Sequence, residues 1–125
     1  MKLKLIIIVC LIISISACSA DMMMNQITVE NIDMSMVADG IYQGEYTDEK
    51  SLEMSEVEVT VKDHVIESIV VLQRKTTAVG KKGEYVITQV ISAQSLQVDG
   101  VSGATMTSRI TLKAIEVALK KGIQQ

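Results

Sequence analysis

The sequence contains no tryptophan, phenylalanine or proline, and its 125 residues include only one histidine and two cysteines. Without Trp and Phe, the core has to be built from Ile, Val, Leu and Met. A planar ligand could then stack only on Tyr42, Tyr46 or Tyr85, or between aliphatic side chains. The single imidazole, that of His64, argues against a Ser-His-Asp catalytic arrangement and against a zinc site of the usual Cys/His kind. We therefore expect no metal site.

Basic charge is also scarce. The net charge is −3 at pH 7 and becomes −5 if a leader carrying Lys2 and Lys4 is removed. A protein that binds nucleic acid needs a basic face, so we expect no nucleic-acid partner. The sequence also lacks a G-x-G-x-x-G stretch after a strand, which excludes the usual dinucleotide-binding fingerprint.

The N-terminus has the pattern of a secretory leader. Two lysines precede an apolar run over residues 5–15, which is too short to span a bilayer of ~30 Å as a helix. The run continues into Ile15-Ser16-Ala17-Cys18, which resembles the bacterial lipobox, in which the cysteine becomes the lipidated first residue of the mature protein. We predict a lipoprotein signal peptide over residues 1–17 and a lipid on Cys18 that holds the protein to the extracytoplasmic face of the cell membrane. The alternative is a plain signal peptide with a coincidental cysteine.

This prediction also accounts for both cysteines, because Cys10 lies in the removed leader and Cys18 carries the lipid. No thiol then remains for a disulfide or a nucleophile. Residues 18–38 are polar, rich in methionine and without periodicity, which indicates a lipid-anchored tether. Residues 39–125 are long enough for one domain.

The first half of this domain has the pattern of β-strands. Residues 40–46 alternate, and Gly44 within them marks either a bulge or a close approach of another backbone. Residues 54–62 alternate more clearly, with valines on one face and polar residues on the other. Asp63 and His64 separate that strand from a third, residues 65–73, so we predict a two-residue hairpin.

The second half has the pattern of helices. Residues 74–83 form a basic loop, and apolar residues repeat with helical spacing over residues 84–94, which favours a short helix. A final helix is predicted from about Thr107 to Lys121. The fold class is therefore α+β, a small antiparallel sheet with helices packed on one face.

One stretch, DGVSGATMTS over residues 99–108, concentrates small, flexible and hydroxylated residues directly before the final helix. Gly100 and Gly103 permit backbone angles that other residues avoid. Four hydroxyls fall within seven residues here: Ser102, Thr105, Thr107 and Ser108. A helix start offers unpaired N–H groups and a positive dipole end, which favour a phosphate. The residues alone leave two interpretations open, a loop that holds a phosphate-bearing group and an ordinary helix cap.

The segment SGATMTS resembles the S/T-G-A-T/S-x-T/S motif of the FMN-binding domain family, which includes a subunit of the sodium-pumping quinone reductase and one of the Rnf complex. The resemblance extends from about Asp39 to the C-terminus. In that family the last Thr or Ser of the motif is esterified to the phosphate of FMN by a dedicated flavin transferase. Here that position is Thr107.

The resemblance implies roles for the neighbouring residues. Gly103 and Ala104 would give the ester clearance, and Ser102 would help to shape its surroundings. Thr105 and Ser108 would bond phosphate oxygens or neighbouring backbone, and Asp99 would form the turn or be recognised by the transferase.

Two features depart from the family pattern or stay open. Where family members often have Asp-Gly at the hairpin, this chain has Asp63-His64, and His64 is either an exposed turn residue or a proton donor to a reduced flavin. Three lysines of the basic loop either neutralise a phosphate or ring anion or are simply solvated: Lys75, Lys81 and Lys82.

With the lipid anchor, the resemblance implies an extracytoplasmic electron carrier with covalent FMN, which a flavin transferase attaches from FAD. The expected electron donor is a membrane dehydrogenase or the quinone pool, and the acceptor lies outside the cell. Two alternatives remain open: a flavin-dependent extracellular reductase of a specific small molecule, and a non-redox lipoprotein that binds a ligand or partner.

Overall fold

A computed structural model describes residues 27–78 and 80–124, and within them the chain forms one sheet and two α-helices. The sheet is antiparallel with strand order β1-β2-β3: β1 Gly40–Thr47, β2 Met54–Lys62 and β3 Val65–Lys75. The helices are α1, Val86–Ala93, and α2, Thr105–Lys120, with 3₁₀ helices at Met34–Met36 and Gly80–Tyr85. The predicted α+β class is confirmed, with the C-terminal helix directly after the glycine-containing loop. None of the helices in the described part of the chain combines the length and apolar content needed to cross a membrane.

The alternating pattern of β2 determines which face of the sheet is covered. Val57, Val59 and Val61 are buried beneath the helices, and the polar residues that alternate with them are half-exposed on the other face: Glu56, Glu58 and Thr60. Burying each valine side chain contributes about 1.5–3 kcal/mol relative to leaving it in water. The core therefore lies between one face of the sheet and α2.

The hairpin between β2 and β3 has two residues, as predicted. Asp63 and His64 have φ of 52° and 61°, the left-handed conformation that a type I′ turn requires. The His64 ring lies against the chain that enters β1, where its Nδ1 is 3.0 Å from Val37 O. His64 is thus an exposed turn residue tied to a backbone carbonyl.

Gly44 lies at a close approach of β1 and α2. The β1–β2 register runs without a shift through Gly44, so the residue marks a close approach and not a bulge. A Cβ at this position would come within 3.0 Å of Ala114 O, Ala118 N and Ala118 Cβ. Because Ala114 and Ala118 are fully buried, α2 packs on the sheet through three small residues.

Residues 27–38 correct the predicted domain boundary. Ile27, Ile32 and Val37 are buried, and Val37 forms a β-bridge with Ile123. Polar contacts also hold this segment, since Asn31 Oδ1 accepts from Leu96 N at 3.1 Å. The prediction of a tether is therefore wrong for residues 27–38, because apolar residues without periodicity still pack when tertiary structure supplies a surface. Residues 18–26 and the signal peptide lie outside the described residues.

A buried carboxylate on α2 anchors this N-terminal segment. Glu116 is 1% exposed, and its oxygens accept hydrogen bonds from Lys120 Nζ at 2.7 Å, Lys113 Nζ at 3.0 Å and Glu30 N at 3.1 Å. Burial acts to raise the pKa of Glu116, but these hydrogen bonds outweigh it and hold the pKa below the ordinary 4.5. The hydrogen bond to Glu116, followed by that to Glu30, raises the pKa of Lys120 above its ordinary 10.5.

This cluster predicts a pH dependence of stability. The folded-state pKa of Glu116 is lower than the unfolded value, so its contribution is fully present above about pH 4.5 and is lost as the pH falls through the folded pKa. We expect Glu116→Gln to lower the free energy of unfolding at pH 7 by about 2 kcal/mol and to flatten its decline below pH 4.5. Urea unfolding at pH 7 and pH 3 would measure both effects. Equal declines in the two proteins would show that Glu116 does not contribute to acid sensitivity.

Candidate functional site

The loop from Asp99 to Ala104 turns back over the first turn of α2. Gly100 and Gly103 have φ of 84° and 80°, the left-handed region that favours glycine. The side-chain amide of Gln89 on α1 brackets Gly100, since Nε2 donates to Gly100 O at 3.0 Å and Oε1 accepts from Gly100 N at 3.1 Å. The loop is therefore fixed from α1 on one side.

Ser108 fixes the same loop from α2. Its Oγ accepts from Val101 N at 3.0 Å and donates to Ala104 O at 2.9 Å, and the residue is 1% exposed. The predicted partners of this hydroxyl are phosphate oxygens or neighbouring backbone. In the structure it bonds neighbouring backbone. Ser108 is thus a positioning residue of the loop.

The Thr107 hydroxyl faces the end of the sheet. Its Oγ1 donates to Glu53 Oε2 at 3.4 Å and lies 3.2 Å from Thr76 Oγ1. Thr76 Oγ1 in turn donates to Glu53 Oε1 at 3.0 Å. One carboxylate therefore holds two threonine hydroxyls, and we call Glu53, Thr76 and Thr107 the hydroxyl–carboxylate cluster.

Two glycines of the 3₁₀ helix Gly80–Tyr85 cover this cluster. A Cβ at Gly80 would come within 3.0 Å of both the Thr76 and Thr107 hydroxyl oxygens. A Cβ at Gly83 would come within 3.0 Å of Thr107 Cβ and Ser108 N. Thr107 is consequently only 5% exposed, because glycine backbone lies directly over it.

The predicted site residues divide between two places. Thr107 belongs to the hydroxyl–carboxylate cluster, whereas Asp99, Thr105 and Ser108 line a small cleft of about 160 Å³ on the loop side of α2. Ser102, Gly103 and Thr105 are exposed, and Ala104 is 6% exposed at the N-cap of α2. The structure therefore does not bring the four hydroxyls of the motif together around one point.

A larger cleft of about 440 Å³ lies on the 3₁₀ helix that covers Thr107. It is lined by Ala78, Lys81, Lys82, Glu84 and Tyr85. Tyr85 is 70% exposed, whereas Tyr42 donates to Ala38 O at 2.7 Å and Tyr46 packs against the core. Of the three tyrosines, Tyr85 presents the ring that a planar ligand could stack on.

His64 lies far from these residues. β2 joins them in sequence, with Glu53 directly before its first residue and His64 beyond its last. The eight steps between its nine residues, at about 3.4 Å each, separate the two ends of β2 by about 27 Å. The structure thus does not place His64 beside Thr107.

Glu53 and Thr76 are the site residues that the sequence prediction missed. The antiparallel register pairs Met54 with Lys75, so the residues just outside the pair, Glu53 and Thr76, necessarily meet. The register at the hairpin turn alone would place Glu53 opposite Arg74, and two register shifts along β2, at Glu56/Val57 and Thr60/Val61, bring Thr76 opposite it instead. Their position beside Thr107 depends on the packing of α2 against the sheet.

Comparison with known families gives one match: the model of the FMN-binding domain matches residues 53–120, more than half of the chain. The matched segment begins at Glu53 and contains all three residues of the hydroxyl–carboxylate cluster. A search of curated proteins found none that matches the chain.

Proposed function

The chain belongs to the FMN-binding domain family and is a flavin-binding protein, and we propose that it carries FMN covalently as a phosphoester on Thr107. The Thr107 hydroxyl in the hydroxyl–carboxylate cluster is the observation that carries this proposal. It is the hydroxyl of the motif that a carboxylate and a second hydroxyl hold at the end of the sheet. FMN, once bound, would accept and release one or two electrons.

The start of α2 suits a phosphate group. Ala104 at the N-cap makes no side-chain hydrogen bond to the helix, and the first turn carries no acidic residue. The free N–H groups of that turn and the positive end of the helix dipole therefore have no side-chain anion to satisfy them. A phosphate esterified to Thr107, the third residue of α2, would lie in that region.

The larger cleft suits the flavin ring. Gly83 contacts Thr107, and Tyr85 is two residues further along the same 3₁₀ helix, so its Cα lies within about 7 Å of that of Gly83. Tyr85 would stack on the isoalloxazine ring. Lys81 and Lys82 would stabilise negative charge on the reduced ring.

We further propose that the protein is anchored to the extracytoplasmic face of the cell membrane by a lipid on Cys18. A flavin transferase would attach FMN from FAD, and a membrane dehydrogenase or the quinone pool would supply electrons for an external acceptor. A covalent bond suits this location, because a weakly bound flavin would be lost by dilution outside the cell.

The full chain co-expressed with a flavin transferase is expected to gain the mass of one FMN, less the water lost in esterification. In membranes, its flavin absorbance should bleach when the respiratory substrate of a membrane dehydrogenase is added. Absence of any mass gain would favour the non-redox lipoprotein. Multiple turnovers of a defined small molecule by the purified protein, with no other carrier present, would favour a reductase over an electron shuttle.

A further inference from the structure

We propose that Glu53 is the group that accepts the proton of the Thr107 hydroxyl during flavin attachment, with Thr76 as a positioning residue for the carboxylate. The inference rests on the proposed function, since it concerns how this chain prepares its own hydroxyl for esterification. It assigns a catalytic role to a residue that precedes β2, 54 positions before Thr107.

The geometry of Glu53 supports this role. Its two carboxylate oxygens each accept a hydrogen bond from a threonine hydroxyl, Oε1 from Thr76 at 3.0 Å and Oε2 from Thr107 at 3.4 Å. The Glu53 carbonyl accepts from Asp48 N at 2.9 Å, which anchors the backbone at the entrance to β2. The backbone of Glu53 is thus held by Asp48 and its side chain by Thr76, and the second carboxylate oxygen is directed at the Thr107 hydroxyl.

The charges around Glu53 also favour proton transfer over a structural ion pair. Among residues 27–78 and 80–124, the salt bridges involve other carboxylates, those of Glu30, Glu84 and Glu116. Glu53 instead has two neutral hydroxyls as partners. Its Oε2 is therefore placed to accept the proton that the Thr107 hydroxyl releases.

The step balances with a flavin dinucleotide as co-reactant. The Thr107 oxygen forms a bond to the phosphorus on the FMN side of FAD, and the bond from that phosphorus to the bridging oxygen breaks. AMP leaves with the bridging oxygen and its electron pair. The hydroxyl proton passes to Glu53 and then to solvent. Thr76 keeps the second carboxylate oxygen engaged, so that Oε2 stays directed at Thr107.

Single-turnover attachment to the full-length apoprotein, with purified flavin transferase and FAD, tests this role through the rate of mass gain. We expect Glu53→Gln, which keeps the shape and an acceptor oxygen, to slow attachment about 100-fold. Thr76→Val should slow it about tenfold, because the carboxylate loses its second hydrogen bond. The matched control is Glu56→Gln on the half-exposed face of β2, which should stay within about twofold of the unchanged protein.

A pH series separates proton transfer from a purely structural effect. Without the carboxylate, hydroxide has to remove the proton, so the rate for Glu53→Gln should approach that of the unchanged protein as the pH rises. Circular dichroism at each pH would show that the variants are folded. If Glu53→Gln does not fold, Thr76→Val still tests the hydrogen bonding of the Glu53 carboxylate. Equal rates for Glu53→Gln and the unchanged protein at every pH would overturn the inference and leave the proposed function intact. No mass gain in the unchanged protein would overturn both.

Discussion

Replacement of Thr107 by valine is expected to abolish the gain of one FMN in intact mass, together with the flavin fluorescence of the protein. Valine has nearly the same shape as threonine but no oxygen to esterify, so the acceptor atom is removed while the packing of α2 is kept. Thr107 is 5% exposed and its hydroxyl bonds Glu53 and Thr76. The substitution should therefore lower the free energy of unfolding only by the loss of these hydrogen bonds, about 1 kcal/mol.

Thr111→Val provides a matched control, because Thr111 is buried one helical turn further along α2. The Thr111 hydroxyl has no hydrogen-bond partner in the described part of the chain, so its removal should leave the mass gain unchanged and should not lower the stability. Thr107→Ser should retain attachment, since the hydroxyl remains. A full mass gain in Thr107→Val would move the ester to another residue, which peptide mapping would identify, and would exclude the proposed attachment site.

Substitution of Gly44 by alanine is expected to lower the free energy of unfolding by about 3 kcal/mol or more. The added methyl group would meet the backbone of α2 at Ala114 and Ala118, and neither backbone can move without displacing the helix from the sheet. For a domain of this size, 3 kcal/mol is a large fraction of the total stability. Because the displaced helix carries Thr107, FMN attachment should decline together with stability.

Glu45→Ala is the control for this substitution, since its side chain is exposed on the same strand and should change stability by less than about 0.5 kcal/mol. Gly103→Ala should cost about 1 kcal/mol, because φ is 80° but a Cβ there has no neighbour within 4 Å. Urea unfolding followed by circular dichroism would rank the three. A Gly44→Ala protein as stable as Glu45→Ala would mean that β1 and α2 are further apart than described.

Local patterns were sufficient for most of the secondary structure. Alternation in β2 indicated both its bounds and its buried face, since side chains of a strand point to opposite faces in turn. The short helix predicted over residues 84–94 is present as α1, with a 3₁₀ turn before it. The final helix begins at Thr105, two residues earlier than predicted, because Ala104 and not a hydroxylated residue is its N-cap.

Patterns of this kind fail where a segment gains its structure from distant residues. Residues 27–38 have no periodicity, yet they pack because side chains of α2 hold them. Glu116 accepts from Glu30 N, Lys120 pairs with the Glu30 carboxylate, and Lys113 donates to Thr28 O. A prediction from local sequence uses the spacing of apolar residues. It does not include the surface of α2 on which residues 27–38 pack, because that surface forms only after the helix has folded.

The sequence by itself determined the fold class, the hairpin, the family and the threonine expected to carry FMN, because each depends on residues that are neighbours in the chain. Tertiary structure decided what surrounds that threonine. Packing of α2 against the sheet places Thr107 beside Glu53 and Thr76, which are separated from it by 54 and 31 positions. It also places the Ser108 hydroxyl on the loop backbone, where it bonds Val101 N and Ala104 O. The spacing of a motif fixes which oxygens are close in sequence, but only the packing of helix on sheet fixes which carboxylate each oxygen meets.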